Sequence, residues 1–162
     1  MVASVASWSA IEAEVPELAE AARAFFDAFV HKTLATIRSD GSPRISGSEL
    51  QFGDGEAWIG SMWRAVKALD LQRDPRFAIH SGSADPGDGW SGDAKIAGRA
   101  IEITDQDEVA GRNEPPAGQK PKPSHLFRLD IAELVVVRLG EPADHLAIDA
   151  WHEGRGVSSL RR

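Results

Sequence analysis

The feature that most restricts this chain is a dense succession of short β-prone runs and tight turns that begins just after His31. Thr33–Arg38 is β-prone, Ser39-Asp40-Gly41-Ser42-Pro43 is a turn cluster, and Arg44–Phe52 reads as a second strand. Gly53-Asp54-Gly55 reverses the chain again into a third strand, Glu56–Ser61. Hairpins packed this closely leave no room for crossover helices, so the pairing is antiparallel and βαβ architectures are excluded.

The segments on either side fit that frame. From Pro16 onward Leu18, Ala21, Ala22, Phe25, Phe26 and Phe29 recur at helical steps, which predicts a helix after a loose lead-in over residues 1–15. A short helix is predicted over Arg64–Arg73, stopped by Asp74-Pro75. Arg76–Ser81 and residues 93–104 read as strands, and His125–Leu139 as two strands or one long bent one. Asp144–His152 reads as a last strand before a polar tail at 153–162. Residues 82–92 and the proline-rich stretch 110–124 read as surface loops. The expectation is one domain over 1–162, with a helical lead-in (1–30) and a barrel (31–152). Its class is mostly β, a closed or partly closed antiparallel barrel with flanking helices.

Composition removes several function classes. With no cysteine, thiolate metal sites, iron–sulfur ligation and cysteine nucleophiles are excluded. A formal net charge of -7 argues against nucleic acid as a partner. No run approaches the roughly eighteen apolar residues that a membrane helix needs. No basic and apolar leader opens the chain, so the expected setting is cytoplasmic. P-loop, dinucleotide-binding and nucleophile-elbow motifs are missing, and the five histidines lack metal-ligand spacing, so no metal site is expected. Asp85, Asp88 and Asp93 fail the spacing of a calcium loop.

One segment carries a positive signal. In Ser61-Met62-Trp63-Arg64-Ala65-Val66-Lys67 a strand ends on a hydroxyl residue and a helix opens beside two cations. Helix starts expose unpaired N–H groups that favour a phosphate, and Arg64 and Lys67 are placed on one face of the first turn. On spacing alone, a phosphate site and a solvated amphipathic helix stand level.

The runs KTLATIRSDGSPRIS, DGEAWIGSMWRAVKALDLQRDPRFAIHS and GDAKIAGRAIEI, in that order, resemble the pyridoxamine 5′-phosphate oxidase-like flavoproteins. The resemblance covers about residues 31–104. It implies a six-stranded split β-barrel of the FMN-binding type, a homodimer with the cofactor at the subunit interface, and hydride transfer to or from a small-molecule substrate that the sequence does not name. Carried over by position, Lys67 pairs with the cofactor phosphate and Ser61 reaches the phosphate or ribityl chain. Arg44, Ile45 and Ser46 line the ribityl chain and ring, with Arg44 facing charge that develops on the reduced flavin. Asp93 contacts the ring, and Trp151 covers the cofactor from the partner subunit.

This chain departs from the family pattern in that Val66 replaces a phosphate-binding arginine, for which Arg64 is the substitute. Met62 and Trp63 are bulkier than the usual pair. The C-terminal substrate motif of vitamin B6 oxidases is also missing. Trp63 and Trp90 are candidates to stack on the ring, and His80 and His152 to deliver a proton. The resemblance extends to members that use the deazaflavin coenzyme F420, for which Arg64, Lys67, Arg73, Arg161 and Arg162 would supply a basic groove. It also admits a protein that binds a flavin without turnover, or a barrel that has lost its cofactor.

Overall fold

Pro16 fixes the start of the longest helix, and the apolar stripe that follows it buries Leu18, Ala19, Ala22 and Phe26 against the β-sheet. The computed structural model describes residues 6–85, 89–113, 117–120 and 122–162. Its elements are α1 (Trp8–Glu14), α2 (Pro16–Asp27), β1 (His31–Ile37), β2 (Pro43–Glu49), β3 (Gln51–Gly53) and β4 (Glu56–Met62). There follow α3 (Val66–Arg73), β5 (Arg76–His80), β6 (Gly92–Ile103), α4 (Gln106–Arg112), β7 (Ser124–Leu139), β8 (Leu146–His152) and β9 (Gly156–Arg161).

The strands form a single sheet in the order β2-β1-β5-β6-β7-β4-β3, and β8 and β9 extend it from the upper part of β7. All pairings are antiparallel, as the hairpins require. The spine is β6 against β7, from Gly92↔Arg138 to Ile103↔Leu126, with a register shift at Ala97/Gly98. That bulge lets two such long strands coil. The sheet curls so that β2 approaches β4 without backbone pairing, an open and split form of barrel. Leu34, Ile79, Ile96, Leu134, Val136 and Trp151 point inward beneath α1 and α2.

Several expectations need correcting. Nine strands are present among the described residues, not six. The second strand breaks at Leu50, whose burial (8% exposed) turns the chain and separates β2 from β3. The supposed polar tail is β9, formed because Gly154 and Gly156 adopt positive φ and fold residues 156–161 back on β8. Of the two readings of His125–Leu139, the single long strand is the one found. The acidic stretch after β6 is α4, N-capped by the Asp105 carboxylate, which accepts from the N–H groups of Asp107 and Glu108. Helix α3 begins at Val66, so Arg64 lies outside it. Asp88 lies outside the described residues. Among the described residues, no helix is long and apolar enough to cross a membrane.

Candidate functional site

The end of β4 is placed by β7: Ser61 lies opposite His125, and Met62 opposite Ser124. Beyond Met62 the chain makes a tight turn in which Arg64 takes a left-handed conformation (φ 56°), a cost for a residue with a Cβ. Ala65 then serves as the N-cap of α3. It has no side chain able to cap, so the first amides of the helix lack a side-chain acceptor.

Lys67, in the first turn of α3, reaches over to β2. Its Nζ donates a 2.6 Å hydrogen bond to the carbonyl of Gly47 on β2. Burial pushes its ammonium below the usual lysine range, and Glu49 partly opposes that. The Ser61 hydroxyl is buried and has no hydrogen-bond partner, an unusual condition for a buried polar atom. Ser61 and Lys67 line one cleft of about 390 Å³, together with Gly47 and Glu49 of β2, Met62, and Asn113 at the end of α4. A cation with spare donors and a residue with an orphan hydroxyl therefore line one cavity. That set fits a phosphate, although Glu49 leaves the cleft less positive than a purely basic cradle.

A second cleft of about 380 Å³, near Val15, Glu17, Leu18 and Val157, holds Arg138 paired with Asp149, so its cation is already neutralised by a carboxylate.

The other sequence candidates divide into neighbours and outliers. Arg44, Ile45 and Ser46 lie on β2, but Arg44 turns to Asp70, to which its Nε donates at 2.6 Å. Asp70 also accepts from Thr36 (2.9 Å) and Arg73 (3.1 Å). Burial alone would raise the Asp70 carboxyl, but hydrogen bonds from Arg44, Thr36 and Arg73 outweigh it and hold the group below the ordinary value. The Arg44 guanidinium is thus tied through its Nε to the buried Asp70. Ile45 is 74% exposed on the outer face.

Met62 and Trp63 are exposed at the turn, and Trp63 stacks on His125 (centroids 4.8 Å, 7° between planes). Because Arg64 precedes the helix, it does not share a helical face with Lys67, which corrects that placement; it stands in the turn before α3, from which the resemblance has it replace the missing arginine. What the turn uses is the Arg64 backbone N–H, donated to His125.

Asp93 pairs with His80 at 3.3 Å and stands opposite Val137. That is twelve positions along β7 from His125, about 40 Å of strand. Trp151 is fully buried beside Leu134, so its ring packs the core of its own chain and does not reach out to cover a cofactor. His152 is bonded to Glu133 (2.9 Å), and Trp90 is half-buried in its loop. Sequence reasoning missed Glu49, Asn113 and the carbonyl of Gly47, which reach the cleft through sheet curvature and α4 and not through a local motif.

No family model matches the sequence, and no curated protein matches it. Solved structures do resemble it. A pyridoxamine 5′-phosphate oxidase-related, FMN-binding protein from Nostoc punctiforme aligns with a TM-score of 0.61 at 18% identity, covering 94% of this chain and 96% of that one. PhzG from Burkholderia lata, solved with tetrahydrophenazine-1-carboxylic acid, aligns with a TM-score of 0.65 at 13% identity over 94% and 91%. A putative pyridoxamine 5′-phosphate oxidase from Listeria innocua aligns at 0.54 and 14% identity over 70% and 93%. These likenesses, spanning nearly the whole chain in the first two cases, establish that the protein has the split-barrel fold of the pyridoxamine 5′-phosphate oxidase-related, FMN-binding proteins.

Proposed function

We propose that the protein is an FMN-dependent oxidoreductase that works as a homodimer on a small-molecule substrate. The observation that carries this reading is the orphan Ser61 hydroxyl in the same cleft as the Lys67 ammonium, at the strand-to-helix turn. A phosphate there would satisfy the hydroxyl and take up the donors that Lys67 does not spend on Gly47. Bound FMN would supply the hydride chemistry.

The chain's own tasks are then to hold and orient. Lys67 and Ser61 hold the phosphate end, while Met62 and Asn113 shape the wall of the cleft. The shared fold of an FMN-binding protein supports the choice of ligand.

The dimer is supported by the outer face of the sheet. Antiparallel partners point to the same side. Val137, Ile148 and Leu160 therefore form one apolar row across β7, β8 and β9, on the face opposite the buried Leu134 and Val136. Leu139 (45% exposed) and Leu160 (47%) leave that face open to water in a single chain.

The test is a titration of the purified protein with FMN followed by visible absorption, then anaerobic addition of a nicotinamide donor. Binding followed by bleaching, and recovery of colour with an electron acceptor, is the expected result. Binding without bleaching would mark a flavin carrier. An absorption maximum near that of a deazaflavin in protein isolated from its own source would transfer the site to coenzyme F420.

A further inference from the structure

A buried histidine lies behind the turn that presents Ser61 and Lys67. His125 is 4% exposed, stands opposite Ser61 in the β4–β7 ladder, and carries Trp63 stacked on its ring. Its Nε2 accepts the Arg64 backbone N–H at 3.1 Å. Its Nδ1 lies 2.7 Å from Oε1 of Glu102 on β6. These two partners decide the tautomer. A backbone N–H can only donate, so Nε2 must be bare, and the proton sits on Nδ1 and is donated to the carboxylate.

Glu102 has a further role, because both of its oxygens accept from Nε2 of Gln72 on α3, at 2.9 and 3.0 Å. The pair thus holds α3 at both ends. The imidazole fixes the turn before the helix, and the carboxylate fixes the helix near its last residues. Lys67 lies between the two attachments. The Arg64 bond also falls on the residue whose left-handed conformation most needs support.

We infer that His125, oriented by Glu102, is a positioning residue for the anion-binding turn. By accepting the Arg64 N–H it holds the left-handed turn that places Lys67 and Ser61 around a phosphate. This rests on the reading of that cleft as the FMN phosphate site. The imidazole does not itself touch the ligand. It sets where the ligating groups stand.

The experiment measures FMN dissociation constants by fluorescence quenching, with thermal midpoints, for the full-length wild type, Lys67→Ala, His125→Asn, His125→Phe and His125→Gln. His125→Asn keeps a donor for Glu102 but its oxygen falls short of the Nε2 position, and His125→Phe keeps a ring under Trp63 but has no acceptor for Arg64. Each is expected to bind FMN about tenfold more weakly, the equivalent of one well-placed hydrogen bond. The Gln oxygen reaches the Nε2 position, so His125→Gln is expected to restore affinity to within about threefold of wild type by supplying that acceptor again.

Wild-type affinity in a folded His125→Asn or His125→Phe variant, alongside weakened Lys67→Ala, would overturn this inference and leave the cofactor reading standing. A wild type that does not bind FMN would remove both. Loss of folding in the Asn and Phe variants, with no binding by a folded His125→Gln, would make the histidine a determinant of the fold alone and would also overturn it.

Discussion

Lys67 ties helix α3 to strand β2 through a 2.6 Å hydrogen bond from its ammonium to the carbonyl oxygen of Gly47. One of three donors is spent on the protein, which fixes the direction of the side chain and leaves two for a ligand. The bond adds to the Thr36–Asp70 and Arg44–Asp70 contacts that hold α3 against β1 and β2.

The charge on that anchor depends on pH in a defined direction. Burial lowers the Lys67 pKa below 10.5, with Glu49 opposing, so the ammonium loses its proton earlier in alkali than a free lysine does. In that window the unfolded chain binds more protons than the folded one, so this group's effect on the stability of the ligand-free protein improves as pH rises. Phosphate affinity moves the opposite way and declines. Lys67→Arg should abolish the alkaline decline in FMN affinity, because a guanidinium stays charged. A decline that persists unchanged in Lys67→Arg would locate the titrating group elsewhere.

Asp70 is a structural carboxylate. Replacing it with Ala leaves Thr36 (1% exposed) without its acceptor and strands Arg44 and Arg73. The expected loss is about 3 kcal/mol of unfolding free energy, read from a urea midpoint. Because hydrogen bonds hold its pKa below 3.8 despite burial, the stabilisation is complete above that ordinary value and is lost as pH falls through the lowered one. A variant as stable as wild type at neutral pH would show that the network contributes nothing net.

The bulge between β6 and β7, where Ala132 is the extra residue on β7 opposite the Ala97–Gly98 step, is equally specific. A Cβ on Gly98 would fall 2.0 Å from the backbone oxygen of Asp130, which cannot move aside without breaking the β6–β7 spine. Gly98→Ala should destabilise the protein by about 2–3 kcal/mol in chemical unfolding, in line with forced overpacking against backbone. An unchanged midpoint would mean that the bulge relaxes freely.

Covering the outer face of β7–β9 predicts a dimer that a single charge disrupts. Leu160→Asp, in the Val137–Ile148–Leu160 row, should shift sedimentation from dimer to monomer at micromolar concentration while the circular dichroism spectrum stays unchanged. A dimer that survives the substitution would place the contact on another face.

Much of this architecture could be read from the chain because local signals and tertiary structure agree. Pro16 with its apolar stripe set the long helix, Ser39–Pro43 and Gly53-Asp54-Gly55 set the hairpins, and Asp74-Pro75 stopped α3. Reading failed where a signal was weak or the decision was tertiary. Helix α4 rests on one capping aspartate in an acidic stretch, and β9 is a polar strand created by two glycine turns. Strand β2 and the turn at Arg64 were misplaced because burial of Leu50 and the bond to His125 act across the barrel, which no local window records. Ser61 and Lys67 were legible as a motif. Glu49 and Asn113 were not, since only the curl of the sheet and the return of α4 bring them to the same cleft.

The central claim is that the Ser61–Lys67 cleft holds a flavin phosphate, and the most direct measurement is the FMN dissociation constant of wild type against Lys67→Ala. Loss of a charge-assisted bond predicts a drop of about 1.5–3 kcal/mol, roughly ten- to a hundredfold, in a Lys67→Ala protein whose circular dichroism shows the fold retained. Equal affinity for FMN in the two proteins would contradict the account.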